Sequence, residues 1–287
     1  MTAIYKKELK SYFINMSGYV FIAFLLLFAG IFVTAVNLKS AMASFEYALS
    51  SMTMVFLFII PILTMRSLAE ERHARTDQLL YSLPLRVSDI VLGKYLAMLT
   101  VFLIPVGIMS VYPIILSAFG TIHYGACYGA ILAFFLLGAA LIAICMFMSA
   151  LTESQIIAAV LSFGILLACY LMNGIAVLIP STAIASYIGL MAVAILFALV
   201  VWLMTKNSII TIAAAAVCIL PLSAAYYFNR SAFEGLFPDL LSTLSVFDRF
   251  NNFVYGIFDV TAIVYYLSII VFFLFLSIQS VEKRRWS

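Results

Sequence analysis

The sequence predicts an all-α, polytopic membrane helix bundle of about eight transmembrane helices, with N- and C-termini cytoplasmic. Three observations lead there. Hydrophobic residues make up 66% of the 287-residue chain and charged residues only 9%, far below the roughly one-quarter charged content of soluble domains. Apolar runs long enough to cross a ~30 Å hydrocarbon core recur along the chain. Lysine and arginine collect in alternate connections between those runs, which sets the orientation.

The elements follow in order. Residues 4–16 form an amphipathic helix, with Tyr5, Leu9, Tyr12, Phe13 and Met16 on one face and Lys6, Lys7 and Lys10 on the other. Such a helix lies in the membrane interface. The run 18–36 is too long for a signal-peptide core, and Asn37, Lys39 and Ser40 separate it from the cleavage-like Ala41-Met42-Ala43. It reads as an uncleaved first span. Further spans are expected at 48–65, 95–118, 126–150, 156–178, 183–204, 208–228 and 261–281. Only Thr205, Lys206 and Asn207 separate the pair at 183–228, which makes it a tight helical hairpin.

An even number of spans puts both termini on one side. That side then holds Lys6, Lys7, Lys10, Arg66, Arg72, Arg75, Arg86, Lys94, Lys206, Lys283, Arg284 and Arg285. The other side holds Lys39, Arg230 and Arg249, so 12 basic residues stand against 3 and all 15 are placed. The basic side is cytoplasmic by the positive-inside rule, and Trp202 and Trp286 suit its aromatic belt.

Two connections are long. Residues 66–94 form a cytoplasmic segment that is polar and helix-friendly from Arg66 to Gln78 and is broken at Pro84, which has no N–H to give. Val87-Ser88-Asp89 offers an N-cap for the helix that enters the third span. Residues 229–260 form an external segment whose Leu240, Leu244, Phe247, Phe250, Val254 and Ile257 share a helical face. It reads as one or two interfacial helices on, or dipping into, the outer leaflet.

The composition also excludes functions. No basic surface interleaved with aromatics suggests nucleic acid as a partner. No GxxxxGK[ST] loop is present, so the chain has no ATPase of its own. No Asp, Glu, Lys or Arg falls in the core of an expected span, which argues against an ion-coupled carrier. His73 and His123 fall on opposite sides, and Cys127, Cys145, Cys169 and Cys218 sit in apolar runs without ligand spacing, so no metal site is expected. Gly125 and Gly129 fit the GxxxG packing motif. Pro61, Pro105, Pro113 and Pro221 should kink their spans.

One stretch resembles a known family. Residues 70–97 read Glu-Glu-Arg-His-Ala-Arg-Thr-Asp-Gln-Leu-Leu-Tyr-Ser-Leu-Pro-Leu-Arg-Val-Ser-Asp-Ile-Val-Leu-Gly-Lys-Tyr-Leu-Ala. This is similar to the signature loop of ABC-2 type permeases, with paired acids, a Leu-Leu-x-x-Leu-Pro run and a Gly-Lys-x-x-Ala entry into the third span. Arg75 stands where that family usually has glycine. Leu151-Thr152-Glu153-Ser154-Gln155 resembles the family's inner turn after the fourth span. The tail from Phe247 to Trp286, with Tyr265-Tyr266 and Glu282-Lys283-Arg284-Arg285-Trp286, resembles the gliding-motility-type branch.

The resemblance implies a single transmembrane domain over residues 1–287, with a six-helix core plus an extra hairpin and residues 4–16 as an interfacial elbow. It implies the permease subunit of an ATP-binding cassette transporter, in export by family habit, in a bacterial-type inner or plasma membrane. Its partners would be an ABC ATPase dimer that carries ATP and Mg, a second permease subunit, and in some systems an accessory extracytoplasmic subunit. Glu70, Glu71, Arg72, Leu80, Leu83 and Pro84 would couple to the ATPase. Spans two and five would line the substrate path, with Thr53, Ser162 and Asn173 as its candidate residues. The alternatives are a secondary transporter, an enzyme acting on lipids, or a membrane anchoring or assembly protein with no ATPase partner.

Overall fold

A computed structural model describes residues 1–40, 42–73, 86–205 and 208–285. The chain divides into two compact units, Met1–Tyr170 with Val246–Ser287, and Leu171–Ser245. Among the described residues every regular element is a helix. Among the described residues six helices are long and apolar enough to cross a membrane: Ser17–Leu38, Phe45–Glu71, Val87–Leu116, Tyr124–Leu151, Gln155–Leu178 and Val260–Lys283.

In the first unit the fourth span is the central post. Some 78% of its most apolar stretch is buried, against 17% for the first span and 22% for the sixth. Its sequence explains this: Gly138, Ala139, Ala140, Ala143 and Cys145 are small, so neighbouring helices approach closely. A Cβ at Gly138 would collide with the Phe102 ring. That ring stacks on Phe135 at 5.8 Å and meets Phe56 edge-on at 5.7 Å. Phe134 continues the cluster, 4.5 Å from Phe56 and 6.2 Å from Phe250. By contrast, Gly125 has nothing within 4 Å of its would-be Cβ, and Gly129 has only Phe258 at 3.8 Å. Within this chain the GxxxG pair brings no helices together.

The second span is segmented. Helix Phe45–Met52 tightens into a 3₁₀ turn at Thr53–Val55 and resumes as Phe56–Thr64. The Thr53 hydroxyl donates to the Ser50 carbonyl at 2.7 Å, the local bond by which threonine competes with the helix ladder. The third span starts at Val87 and breaks after Met109, and Pro113 then sits in the first turn of a short helix, Tyr112–Leu116. There proline costs little, because first-turn N–H groups have no intrahelical partner.

The expected external segment divides between the units. A 3₁₀ turn Arg230–Phe233 and helix Leu236–Leu244 belong to the second unit, and helix Asp248–Val254 to the first. The apolar positions expected on one interfacial face are therefore split. Phe250, Phe253 and Val254 are buried in the bundle, and the Tyr266 hydroxyl donates to the Val246 carbonyl at 3.1 Å. The two phenylalanines each bury a large apolar area there.

The second unit holds the helices Ala183–Thr205 and Ser208–Phe228 where the sequence suggested a pair of spans. As membrane spans they are not among the six, their described apolar stretches being the shorter Ala183–Ile195 and Ala215–Phe228. Lys206 and Asn207 lie outside the described residues. Tyr187 stacks on Tyr226 at 4.5 Å. Gly235 takes a left-handed turn at φ 75° and its N–H reaches the Ser181 carbonyl at 3.0 Å. This presents Phe237 to Gly189, where any Cβ would meet the ring.

Candidate functional site at the basic end of the bundle

Both ends of the first unit's polypeptide lie at one end of the bundle. The N-terminal helix Thr2–Ile14 packs on the third span through Gly93, whose would-be Cβ lies 3.1 Å from Ile4 Cγ2. The sixth span joins the same end where the Ser280 hydroxyl donates to the Ala150 carbonyl at 3.2 Å. Lys6, Lys7, Lys10, Arg66, Arg86 and Lys94 gather here, so this is the basic end.

At its centre is a buried ion cluster. The Lys94 ammonium, 2% exposed, lies 2.9 Å from Glu71 Oε1 and 3.1 Å from Glu8 Oε1. It also donates to the Ser67 carbonyl at 2.8 Å, so its three N–H bonds have three acceptors. Lys7 approaches Glu71 at 3.7 Å from the more exposed side. The cluster joins three elements: the N-terminal helix by Glu8, the end of the second span by Ser67 and Glu71, and the third span by Lys94. The sequence placed Lys94 at the end of the cytoplasmic segment, on the helix that enters the third span. Because the helix starts at Val87, Lys94 is two turns inside it and faces inward. The adjacent pair Gly93-Lys94 thus does two jobs: the glycine admits the N-terminal helix, and the lysine ties it down.

Three further bonds fix the turn below. Ser149, fully buried on the fourth span, accepts from the Leu68 and Ala69 N–H groups at 3.2 and 3.1 Å. The Tyr12 hydroxyl donates to the Leu63 carbonyl at 3.3 Å. Burial, reinforced by Glu8 and Glu70, raises the Tyr12 phenol above its ordinary range, so it remains a donor at any physiological pH. The expected side-chain cap at residues 87–89 is replaced: Arg86 is the N-cap and makes no capping bond, while Asp89 sits in the first turn, 3.9 Å from the N-terminal ammonium.

The residues expected from sequence fall as follows. Glu71 is in the cluster and Glu70 is exposed beside it. The helix at Ala69–His73 carries Arg72, whose side chain lies outside the described residues, as do Arg75, Leu80, Leu83, Pro84, the Trp202 side chain and Trp286. Thr53 and Ser162 are both buried, Ser162 beside Cys145. Asn173 is half-buried and belongs to the second unit. Glu8, Lys94 and Ser149 were missed. Glu8 is the one acid among the lysines of residues 4–16, and nothing local marks either it or a serine that caps a turn 80 residues away.

At the opposite end a second buried acid appears. Glu46, 7% exposed, lies in the first turn of the second span and accepts from the Cys127 thiol at 3.0 Å. Asn37, also buried, donates to the Met42 and Ser44 carbonyls at 2.8 and 2.9 Å and so closes the link between spans one and two.

An all-α bundle with six membrane-length helices, tied at one end by a buried ion cluster that brackets a polar connection, defines a multi-pass membrane protein. Residues 33–228 match the model of the family described as ABC-2 family transporter protein, and the chain belongs to that family. It is accordingly a membrane permease subunit of the ABC transporter class, a family of transmembrane subunits without an ATPase of their own. No curated protein matches the sequence.

Proposed function

We propose that this chain is the membrane-spanning half of an ATP-driven exporter, with the basic end in the cytoplasm and an ABC ATPase pair docked against residues 66–94. ATP and Mg sit on that partner. A second permease, identical or paralogous, completes the pore, in the inner or plasma membrane of a bacterial-type cell. The tail from Phe247 onward favours the gliding-motility-type branch.

The observation that carries this reading is the Lys94 cluster. Residues 74–85 leave the second span just after Glu71 and return to the third span seven residues before Lys94. A force applied to that connection reaches both spans through one buried knot, and the knot also holds the N-terminal helix. Rigid packing of this kind passes displacement on rather than absorbing it. Glu70, Arg72, Leu80, Leu83 and Pro84 supply the contact surface for the ATPase. Glu71, already bound to Lys94, acts by positioning. Thr53, Ser162 and Asn173 stand as candidates for the substrate path.

A mild-detergent pull-down from native membranes, read by mass spectrometry, tests the partner: a stoichiometric Walker-motif ATPase is expected. Leu83→Asp should then abolish docking, or the permease's stimulation of that ATPase, with membrane insertion intact. Recovery of the chain alone, under crosslinking controls that show the detergent spares complexes, would favour a carrier or anchor instead.

A further inference from the structure

A groove of about 380 Å³ opens between the N-terminal helix, the first span and the second span at the basic end. Its walls are Val20, Phe21, Phe24, Ile59, Ile62 and Leu63. Three of these are exposed: Val20 by 62%, Phe24 by 45% and Ile62 by 56%. They lie in the spans' last turns before the basic end, so the groove faces hydrocarbon. It continues into a small polar recess of about 40 Å³, which shares Tyr12, Asn15, Ser17 and Arg66 with it and adds Ser11 and Glu70.

The recess carries one cation and one anion that do not neutralise each other. Arg66 lies in the turn after the second span and Glu70 in the short helix that follows; both are exposed, and neither forms an ion pair within 4 Å among the described residues. Glu8, the other acid at the recess, is held by Lys94. The surface thus reads, from bilayer to water, as apolar wall, guanidinium, carboxylate. A phospholipid presents the matching order of acyl chain, phosphate and headgroup.

We infer that this groove is a binding site for an aminophospholipid of the basic-side leaflet, with phosphate on Arg66 and a primary ammonium on Glu70. Guanidinium matches phosphate oxygens with paired donors. A primary ammonium brings three N–H donors to Glu70 and to the serine hydroxyls, whereas a trimethylammonium brings none. A net-anionic headgroup would satisfy Arg66 but bring no unopposed cation to Glu70: a glycerol hydroxyl offers it one neutral donor, and a carboxylate a second negative charge. A lipid held here would wedge the N-terminal helix against the second span, next to the Tyr12–Leu63 bond.

The test uses the purified full-length chain in mild detergent, exchanged against an equimolar mixture of dioleoyl phosphatidylethanolamine, phosphatidylcholine and phosphatidylglycerol, with retained lipid read by native mass spectrometry. Phosphatidylethanolamine should be retained about threefold or more over phosphatidylcholine, the scale of one partly exposed charge pair. Glu70→Gln should erase that preference while phosphatidylcholine retention stays the same. Arg66→Gln should lower retention of all three. Should Arg66→Gln not fold, by size exclusion, Ile62→Trp fills the groove from an exposed position and should abolish retention with both charges in place. Equal retention of the two zwitterionic lipids overturns the inference. So does a phosphatidylglycerol preference, or retention unchanged by Ile62→Trp. Glu70 is shared between this site and the proposed ATPase contact, but because no ATPase takes part in the test, each outcome is read independently of whether the coupling reading holds.

Discussion

The two ends of the first unit each bury a charge, and they hold it in opposite ways. At the basic end Lys94 is enclosed by two carboxylates and a carbonyl drawn from three elements. At the far end Glu46 has a thiol donor and the N-terminus of its own helix, and no cation within 4 Å among the described residues. A charge shared among elements makes those elements interdependent. A charge satisfied by its own helix dipole and one neighbour makes nothing else depend on it. The basic end is therefore built as a joint, and the far end as a seam closed by packing and by Asn37.

The largest expected effect breaks the joint. Lys94→Met leaves Glu8 and Glu71 with only the exposed Lys7, 4.0 and 3.7 Å away, as a cation, and removing one partner of a buried pair costs about 3–5 kcal/mol. Glu8 and Glu71 are 14% and 17% exposed, so water relieves part of this and the lower figure applies. Thermal unfolding in detergent, followed by size exclusion, should show a pronounced loss for Lys94→Met and partial recovery when Glu8→Gln is added. Failure of the second change to recover anything would mean that packing, not charge, makes the joint.

Next comes Ser149→Ala. It strips the shared acceptor from two buried N–H groups, and each unsatisfied group costs about 1–3 kcal/mol. Ser149→Thr keeps the hydroxyl and should retain most of the stability if the neighbouring helices admit a methyl group. If Ser149→Ala melts with the wild type, the turn after the second span has another source of support.

How far the sequence foretold this contrast depends on distance along the chain. Spans were legible because each is specified by its own twenty residues, and the elbow helix by its own periodicity. The basic end was legible as a surplus of charge but not as a joint, because Glu8, Glu71 and Lys94 meet only after three elements pack. The helix start near Val87 was legible, but which face of that helix meets protein was not: Lys94 turns inward because Glu8 and Glu71 come to it from two other elements. The burial of Phe250 and Phe253 escaped notice because an amphipathic face looks the same against lipid as against protein. The left-handed Met16, which turns the elbow into the first span, carries no glycine or asparagine to signal it.

The seam gives a smaller prediction of opposite sense. Glu46→Gln keeps an acceptor for the Cys127 thiol and removes a desolvated charge, at the loss of a dipole interaction of about 0.3–1 kcal/mol. Thermal stability should stay within about 1 kcal/mol of wild type. A fall comparable to that of Lys94→Met would show that the far end also depends on its charge, and the contrast between the ends would be lost.

The smallest effect lies at the mouth of the seam and is separable by pH. Asp259 caps the sixth span: its Oδ1 accepts from the Thr261 hydroxyl at 2.5 Å and the Thr261 N–H at 2.8 Å, and its Oδ2 from Asn252 at 2.9 Å. The Thr261 hydroxyl first, then Asn252, hold its carboxyl below the ordinary aspartate range. A group whose folded pKa is depressed stabilises above its unfolded pKa and ceases to as the pH falls through the folded one. The contribution is thus complete at neutral pH and withdrawn below about pH 4. It is small, because the group is exposed and solvent screens it. Asp259→Asn should melt slightly below wild type at pH 7, by about 1–2 °C, and the two curves should converge as the pH is lowered from 6 to 3. Every other carboxylate is common to both proteins and cancels in the difference. A gap that persists unchanged into acid would mean that the cap works by shape alone, and that charge does no more at this end than it does at Glu46.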